Sequence, residues 1–537
     1  MALTERQIWQ ITDEIVRSLT QEAERVNRGG SASGSVGDNA VGNAIAQSPA
    51  GQLFTYQPPT GTSGPELPFH NTSAAGTPGP EAVFTPASPV YVPAAGAGSA
   101  CWLCETAEQA IENAVAGFER LREMTMEQRG SLIEAMRRKG VQHAEALARI
   151  AHEETGYGSV KDKTAKNLLI CRRTPGIEDL SSYCKTGDDG MMLVEQAPFG
   201  VIGSITPSTN PTATVINNAI SMIAAGNGVV FNPHPAAKRS SQEAMRLMVE
   251  AIWEAGGPAT LITTVREPTL DTGRAIMNHP DIAMLSVTGG EAVVDVAMRC
   301  GKKVIAAGPG NPPVIVDDTA DISLAARWVF EGASFDNNVL CVAEKEVFVF
   351  ANVADAFMAE MERCGAQRIA GGDIGRVLAT TLIPQDGGHV INRKYVGRDA
   401  AVILRDSGVA VQGNPKLAIA EVDANHPFVM TEMLMPVLPI VRVRDIGQAI
   451  ERACRAEQGC RHSAMIHSAN IHHMSMAARQ LNTTIFVKNA CSLTGLGFYG
   501  EGPTSMTIAT PTGEGVTTAK TFTRLRRCVL YGDFRIV

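Results

Sequence analysis

Predicted strands and helices alternate between residues 200 and 300, and this alternation most restricts the fold of the chain. Gly200 to Ile205 is a short apolar run typical of a buried strand, and Thr212 to Ala225 continues as a helix that Gly226 caps. A second apolar run, Val229 to Phe231, follows directly. Because strands that alternate with helices form parallel sheets covered by helices, the sequence predicts a doubly wound α/β fold of the nucleotide-binding type.

The loop Thr288-Gly289-Gly290 lies between a predicted strand, Ala283 to Val287, and a helix that begins at Glu291. Backbone N–H groups at the start of a helix suit a pyrophosphate, so we expect this loop to line a cofactor cleft. A plain strand-to-helix turn would give the same pattern. The strict G-x-G-x-x-G fingerprint is absent from the sequence, so the pattern alone does not identify a dinucleotide site.

The first 100 residues differ in composition from the rest of the chain. Residues 1–27 have an amphipathic helix pattern, and residues 28–100 consist mostly of Gly, Ala, Ser, Pro and Thr. The apolar stripe of the helix consists of Ile8, Ile11, Ile15 and Leu19. Because the second segment has too few large apolar side chains to offset the entropy of ordering, we expect a targeting helix on a flexible linker. In the helix of residues 1–27, the acidic side chains balance the positive charge of the arginines, which favours a protein partner over a membrane surface.

Composition argues against several classes of function. The net charge of −8 is mild for 537 residues and speaks against nucleic acid as a main partner. No apolar run approaches the ~20 residues needed to span a bilayer, and no secretion signal precedes the globular part. We therefore expect a cytoplasmic protein with reduced cysteines. Cys101 and Cys104 form one C-x-x-C pair without a second pair, so no metal site is predicted.

Cys341 is the candidate nucleophile. It ends the polar, turn-prone run 335–341, and a β-rich stretch from Glu344 to Phe350 follows it. A cysteine on a turn, flanked by unpaired backbone N–H groups, can be held as a thiolate and attack a carbonyl. The same N–H groups can stabilise the resulting oxyanion. From the pattern alone, a buried structural cysteine is the alternative.

Four sequence blocks, in this order, resemble the aldehyde dehydrogenase superfamily. They are Pro198 to Gly203, Pro207 to Pro211, Asn337 to Cys341, and Thr431 to Val437. The resemblance covers residues 101 to 537. It implies a Rossmann-type cofactor domain, an α/β catalytic domain and a small β-element for oligomerisation.

The resemblance also implies domain boundaries. The cofactor-binding domain would span residues 101–306, with an oligomerisation hairpin near 185–197. The catalytic domain would span 307–486. The C-terminal segment, 487–537, would include an oligomerisation strand from Thr517 to Leu525.

Roles for individual residues follow from the same resemblance. Cys341 would be the nucleophile, Asn210 the donor to its oxyanion, and Glu432 the acceptor for the hydroxyls of the nicotinamide ribose. The other candidate cofactor-binding residues are Thr206, Pro207, His234, Thr288, Gly289, Gly290, Gly308, Pro309, Gly310 and Leu434. Without the resemblance, Asn210 reads equally well as a helix N-cap and Glu432 as a solvated charge.

Two departures from the hydrolytic members of that superfamily are informative. Ala307 stands where those enzymes carry a glutamate that activates water, and Asn232 to Pro235 stands where a lysine beside the adenosine ribose is common. Both departures resemble the CoA-acylating branch. Because the thiol of CoA ionises far more easily than water, transfer to CoA needs no strong base.

The resemblance thus implies an enzyme that uses NAD⁺ and CoA to convert a short aliphatic aldehyde into an acyl-CoA. Propionaldehyde is the expected substrate, and acetaldehyde is the alternative. A hydrolytic aldehyde dehydrogenase and an inactive scaffold are the alternatives; Ala307 opposes the first, and the joint presence of Cys341, Asn210 and Glu432 opposes the second. Lys238 and Arg239 leave NADP⁺ use open. The helix on its linker resembles that of microcompartment enzymes. We therefore expect a homo-oligomer, a dimer or tetramer, inside a bacterial microcompartment, with residues 1–27 bound to shell or cargo proteins.

Overall fold

The computed structural model describes residues 101–385, 387–532 and 534–537, which belong to one compact unit. The predicted helix of residues 1–27 and the linker of residues 28–100 lie outside the described residues.

Residues 103–307 contain the predicted alternation of strands and helices. The strands are β1 (Leu103–Cys104), β2 (Tyr183–Gly187), β3 (Gly190–Pro198), β4 (Val201–Thr206), β5 (Gly228–Pro233), β6 (Ile262–Val265), β7 (Ile282–Thr288) and β8 (Lys303–Ala307). The helices are α1 (Ala107–Arg122), α2 (Met126–Gln142), α3 (Ala144–Thr155), α4 (Val160–Arg173), α5 (Pro211–Ala224), α6 (Lys238–Glu254), α7 (Leu270–Asn278) and α8 (Glu291–Met298).

Six of these strands form a parallel sheet in the order β1-β6-β5-β4-β7-β8. The chain moves outward from β4 in one direction and then restarts on the other side with β7. The carboxyl ends of β4 and β7 therefore mark the switch point where doubly wound sheets bind their ligands. Thr206 ends β4 and Thr288 ends β7. The predicted doubly wound fold is confirmed.

Helix α5 is buried along its whole length, because it packs against α2, α4 and α6 as well as the sheet. Its apolar side chains account for this burial and join the largest core cluster, which extends into the second half of the chain. This burial fixes the start of α5, where Asn210 lies.

Residues 313–531 contain a second parallel sheet of seven strands, in the order β11-β14-β15-β10-β9-β16-β17. The strands of this part are β9 (Pro313–Val316), β10 (Glu346–Phe350), β11 (Ala366–Ile369), β12 (Leu382–Gln385), β13 (Gly388–Ile391), β14 (Leu417–Glu421), β15 (Val437–Val443), β16 (Ser463–His467), β17 (Ile485–Lys488), β18 (Ile508–Ala509), β19 (Gly515–Val516) and β20 (Thr523–Tyr531). The helices are α9 (Ile322–Ser334), α10 (Ala354–Cys364), α11 (Gly372–Thr381), α12 (Ala400–Asp406), α13 (Pro427–Met430), α14 (Ile446–Glu457), α15 (Ile471–Leu481) and α16 (Ser492–Gly495). The two parallel sheets fall on either side of the predicted boundary near residue 306, but the division into domains itself remains a prediction.

The predicted hairpin around Asp189-Gly190 is present, because β2 and β3 pair in antiparallel fashion. Strand β20 pairs with the other edge of β3. The prediction for this C-terminal strand, Thr517 to Leu525, was wrong in its bounds. Thr518 and Thr521 form a capping box that begins a short 3-10 turn at Ala519, so the strand starts only at Thr523.

Within the described part of the chain, no helix is both long and apolar enough to cross a membrane.

Candidate active site

The nucleophile loop, residues 335–341, leaves the end of α9 through a 3-10 turn. Asp336, Asn337 and Asn338 have φ angles of +49°, +53° and +64°. The left-handed region costs most L-residues about 1–2 kcal/mol each, and Asp and Asn tolerate it best because their short side chains form local hydrogen bonds. The polar run read from the sequence is therefore required by the backbone of this loop.

The two asparagine side chains of the loop are held from both sides. Asn337 Nδ2 donates to the Gly397 carbonyl oxygen at 2.9 Å. Asn338 Nδ2 donates to the carbonyl oxygens of Ala333 and Glu344, both at 2.9 Å. These bonds offset the backbone cost of the turn and fix where Cys341 lies.

Cys341 is half-buried, and the backbone N–H groups of Cys341 and Val342 act to lower the pKa of its thiol. Burial nevertheless raises the pKa of the Cys341 thiol to about 12, and the nearby Glu432 carboxylate acts in the same direction. Lys345 and the two N–H groups oppose this shift. The expected N–H groups are present, and burial outweighs them in favour of the thiol form.

Lys345 is the cation whose charge acts to lower the pKa of Cys341. Its buried ammonium donates to the carbonyl oxygens of Asn338 and Leu340, at 2.9 and 3.0 Å, and to Asn338 Oδ1 at 2.5 Å. Burial lowers the pKa of Lys345 to about 8, and the neighbouring Glu432 acts in the opposite direction. Sequence reasoning missed Lys345 because it stands among residues that read as the start of a strand.

Glu432 lies in the loop before β15, close enough to Cys341 and Lys345 to interact with both. Burial raises the pKa of Glu432 to about 6, while Lys345 and the backbone N–H of Gly310 lower it. At neutral pH the side chain is therefore mainly a carboxylate, as an acceptor for ribose hydroxyls requires. The structure brings the predicted Glu432 and Cys341 into one site.

The candidate cofactor residues of the first sheet line up along its carboxyl edge. The His234 backbone N–H donates to the Thr206 carbonyl oxygen at 3.0 Å, which places the ends of β4 and β5 side by side. The buried Thr206 Oγ1 has no hydrogen-bond partner within the described residues. Gly290 begins α8 without any side-chain cap, so the N–H groups of that helix start are available, and Gly289 precedes it. An unpartnered hydroxyl and free N–H groups at a switch point fit a dinucleotide.

Ala307 ends β8 beside this edge and is buried. It pairs with Thr288 of β7, and its carbonyl oxygen accepts the Gly289 N–H at 3.1 Å. The buried side chain at this position is therefore a methyl group, which has no proton-accepting atom.

Gly308, Pro309 and Gly310 carry the chain from β8 towards the second sheet. A Cβ atom on Gly310 would lie 2.7 Å from the Cγ atom of His462, so a close approach of this imidazole requires glycine there. The position of Gly310 beside both His462 and Glu432 places the turn at the site rather than at a remote surface.

The last two candidate cofactor-binding residues, Pro207 and Leu434, lie in different parts of the structure. Pro207 follows β4 directly and is half-buried. Leu434 has a φ of +50°, its carbonyl oxygen accepts the Gly397 N–H at 2.9 Å, and its side chain packs against a core cluster that includes Val339. Leu434 thus supports the nucleophile loop, and its direct role towards a cofactor remains a prediction.

Asn210 is the residue before α5, but its side chain makes no capping hydrogen bond. Its Oδ1 instead accepts a hydrogen bond from the buried ammonium of Lys166, which also bonds the Asp336 carboxylate. The reading of Asn210 as an ordinary helix cap is therefore wrong. Lys166 links this amide to the nucleophile loop, and no sequence pattern signalled that link.

His462 is a further residue that sequence reasoning missed. It is fully buried, its Nδ1 lies 2.9 Å from Ser463 Oγ, and its Nε2 has no hydrogen-bond partner in the described part of the chain. Burial, and secondarily Lys345, lowers the pKa of His462 to about 4, so the imidazole is neutral. A neutral imidazole with a free nitrogen can accept a hydrogen bond.

Comparison with known proteins identifies the family. The model of the aldehyde dehydrogenase family matches residues 102–496. The acetylating acetaldehyde dehydrogenase EutE of Salmonella typhimurium is 50% identical over 432 residues, which cover 80% of this chain and 92% of that protein.

Two solved structures are also similar. A propionaldehyde dehydrogenase from the fucose utilisation microcompartment of Clostridium phytofermentans has a TM-score of 0.80 and 44% identity, covering 81% of this chain and all of that one. A propionaldehyde dehydrogenase of Rhodopseudomonas palustris, with bound CoA and an acylated cysteine, has a TM-score of 0.78 and 42% identity, covering 80% of this chain and 98% of that one. The chain belongs to the aldehyde dehydrogenase family.

Proposed function

We propose that the protein is a CoA-acylating aldehyde dehydrogenase. It oxidises a short aliphatic aldehyde with a nicotinamide cofactor and transfers the acyl group to CoA. The names of its relatives support this activity, since they include an acetylating acetaldehyde dehydrogenase and a propionaldehyde dehydrogenase with bound CoA.

The single observation that carries the choice of acceptor is Ala307. It is buried at the end of β8 and tied to Gly289, and its methyl group cannot take a proton from water. Cys341 can still form a thioester, but this position offers no base for hydrolysis. A thiol acceptor removes the need for such a base, since it ionises near neutral pH.

The residues of the site have distinct roles in this reaction. Cys341 releases its proton to solvent and bonds through sulfur to the carbonyl carbon, and the carbonyl oxygen becomes an alkoxide. The Asn210 amide and the Cys341 backbone N–H donate to that alkoxide, and one such donor is worth about 3–4 kcal/mol. Thr206, Thr288 and Glu432 would hold NAD⁺, which would supply the hydride acceptor. Loss of the hydride from the alkoxide carbon leaves a thioester on Cys341. The thiol of CoA then attacks the thioester carbon, and its proton passes to the departing Cys341 sulfur, which restores the Cys341 thiol.

Steady-state NADH formation with and without CoA tests this function. We expect rapid NADH formation with CoA, an equal amount of acyl-CoA, and little free acid. Equal rates with and without CoA, with carboxylate as the product, would identify a hydrolytic enzyme instead. Replacing NAD⁺ by NADP⁺ in the same assay measures the preference that Lys238 and Arg239 leave open.

The preferred aldehyde is a finer part of the proposal. Relatives of both kinds resemble this chain, so propionaldehyde and acetaldehyde are the two candidate substrates. We take propionaldehyde as the main substrate and acetaldehyde as its competitor. The ratio of kcat/KM for the two aldehydes decides between them, and a higher value for acetaldehyde would reverse the order.

We also propose that the protein acts inside a microcompartment, with residues 1–27 as the targeting segment. One similar structure comes from a microcompartment enzyme, which supports this location. A fluorescent protein fused to residues 1–27 should enter the compartments, and Ile11→Asp with Ile15→Asp should release it. If deletion of the segment abolishes aldehyde oxidation in solution, the segment belongs to the catalytic body and the targeting proposal fails.

A further inference from the structure

We infer that Lys166 is a positioning residue that fixes the orientation of the Asn210 amide, so that its NH₂ group rather than its oxygen is presented to the reacting carbonyl. This inference rests on the proposed role of Asn210 as the oxyanion donor. It concerns a residue 44 positions earlier in the chain, on a different helix.

The argument begins with the chemistry of the two side chains. An ammonium group has three N–H donors and no acceptor, whereas a side-chain amide has an acceptor carbonyl oxygen and a donor NH₂ group. The atom of Asn210 that contacts the Lys166 ammonium must therefore be the carbonyl oxygen, Oδ1. The NH₂ group then points away from Lys166, and in the described residues its hydrogen bond is a long one, 3.3 Å from Nδ2 to Thr209 Oγ1.

Lys166 is itself held in place. Its ammonium is buried and bonds the Asp336 carboxylate, which also accepts from Lys163 Nζ at 3.1 Å and from the Ser159 N–H at 2.9 Å. Burial acts to raise the pKa of Asp336, but Lys163 and Lys166 outweigh it and hold the pKa below its usual range. The carboxylate is therefore charged and anchors both lysines.

The packing around Asp336 leaves little freedom for this arrangement. A Cβ atom on Gly158 would lie 1.8 Å from Asp336 Oδ1, and the φ of Gly158 is +63°. The start of α4, which carries both lysines, can thus approach the nucleophile loop only because glycine precedes it. Because Asp336 is part of that loop, one ion cluster sets both the amide of Asn210 and the turn that leads to Cys341.

The chain supplies a matched control. Lys163 and Lys166 are both buried, both lie on α4 and both bond Asp336, but Lys166 is the one that bonds Asn210. Removing either ammonium leaves the other lysine paired with Asp336, so neither change leaves the buried carboxylate without an ion-pair partner. Lys166→Met and Lys163→Met should therefore have similar costs in stability.

The test is a double-mutant cycle on NADH formation in the full-length protein. Loss of an oxyanion donor typically costs about 10²–10³-fold in kcat, so Asn210→Ala should fall in that range. Lys166→Met should lower kcat by about 10-fold or more, because the amide can then turn its oxygen towards the alkoxide. The KM values of Lys166→Met for NAD⁺ and CoA should stay close to those of the parent. Lys163→Met should lower kcat clearly less than Lys166→Met does.

The cycle separates positioning from a general structural effect. If Lys166 acts through Asn210, adding Lys166→Met to Asn210→Ala should change kcat by less than about 2-fold, since coupled residues are not additive. Full additivity of the two changes, or equal losses for Lys163→Met and Lys166→Met, would overturn the inference. A parental rate for Asn210→Ala would instead refute the role assigned to Asn210 under the proposed function.

A second variant tests the donor role of Asn210, on which the inference rests, without changing Lys166. Asn210→Asp keeps an oxygen against the Lys166 ammonium but has no N–H to donate. Its melting temperature should match that of the parent, and its kcat should fall as far as that of Asn210→Ala. A kcat near the parental value would refute the donor role of Asn210 under the proposed function, whereas the cycle above decides the role of Lys166.

Discussion

The Lys345 ammonium donates a hydrogen bond to the Leu340 carbonyl oxygen at 3.0 Å, one residue before the candidate nucleophile. Lys345 thus braces the nucleophile loop and places a buried positive charge next to Cys341. Glu432 places a negative charge near the same sulfur. The reactivity of Cys341 is set by these two opposing charges within a buried site.

Replacing Lys345 by Met should make Cys341 harder to ionise. An opposite charge within a few ångströms typically shifts a pKa by about 1–3, so alkylation of Cys341 by iodoacetamide at neutral pH should slow by about 10-fold or more. Peptide mass spectrometry measures the modification at Cys341 separately from the other ten cysteines. Lys416→Met, which changes an exposed lysine, is the control. An unchanged alkylation rate in Lys345→Met would show that Lys345 has no electrostatic effect on the thiol.

Glu432→Gln should have the opposite effect on the thiol. Removing the negative charge lowers the pKa of Cys341, so alkylation should become faster than in the parent.

The same change should weaken cofactor binding in a pH-dependent way. Since the pKa of Glu432 is raised to about 6, the carboxylate is present above that pH and is lost as the pH falls through it. The KM for NAD⁺ of the parent should therefore rise below about pH 6, and Glu432→Gln should have a high KM at every pH. A flat KM profile in the parent would contradict the ribose role.

Ala307→Glu should add hydrolysis to the reaction. The new carboxylate would stand at the end of β8, beside Gly289, and could accept a proton from water. We expect NADH formation without CoA to increase about 10-fold or more, with free acid as the product. The melting temperature reports the cost of burying the larger side chain. If the folded variant still depends fully on CoA, the absence of a base at position 307 does not explain the choice of acceptor.

The three-stranded sheet predicts self-association. Strand β20 is exposed along its length, with Leu525 and Val529 65% and 64% exposed, and an open apolar edge favours pairing with a second copy. Light scattering at micromolar concentration should show a dimer or tetramer. Leu525→Arg with Val529→Arg should produce a smaller species. Leu270→Arg, at another exposed leucine, should leave the mass unchanged; a monomeric parent would refute the prediction.

The fold and the meeting of the strand ends at one edge of the first sheet could be predicted because their signals are local. The strand before Thr206, the helix after Asn210 and the turn at Gly289-Gly290 each occupy a short stretch of sequence. Once the alternation fixes a parallel sheet, the ends of its strands must meet at one edge. The placement of Thr206, His234 and Thr288 follows from that rule.

The charged residues around Cys341 and Asn210 could not be predicted in the same way. Lys166 and Asp336 are 170 residues apart in the sequence, and His462, the residue before β16, contacts Gly310 across a separation of more than 150 residues. A buried lysine has the same one-letter signature as a surface lysine, and only tertiary packing distinguishes them. The raised pKa of Cys341 could not be predicted for the same reason, since burial outweighs the local N–H groups.

The most direct test of the central claim is a single-turnover measurement without CoA. Mixing the enzyme with propionaldehyde and excess NAD⁺ should give a burst of about one NADH per active site, followed by very slow turnover. Mass spectrometry should find one propionyl group on the peptide that contains Cys341, and added CoA should remove it as propionyl-CoA. Cys341→Ala should abolish the burst. Continuous NADH formation without CoA, or an acyl group on another residue, would contradict the account.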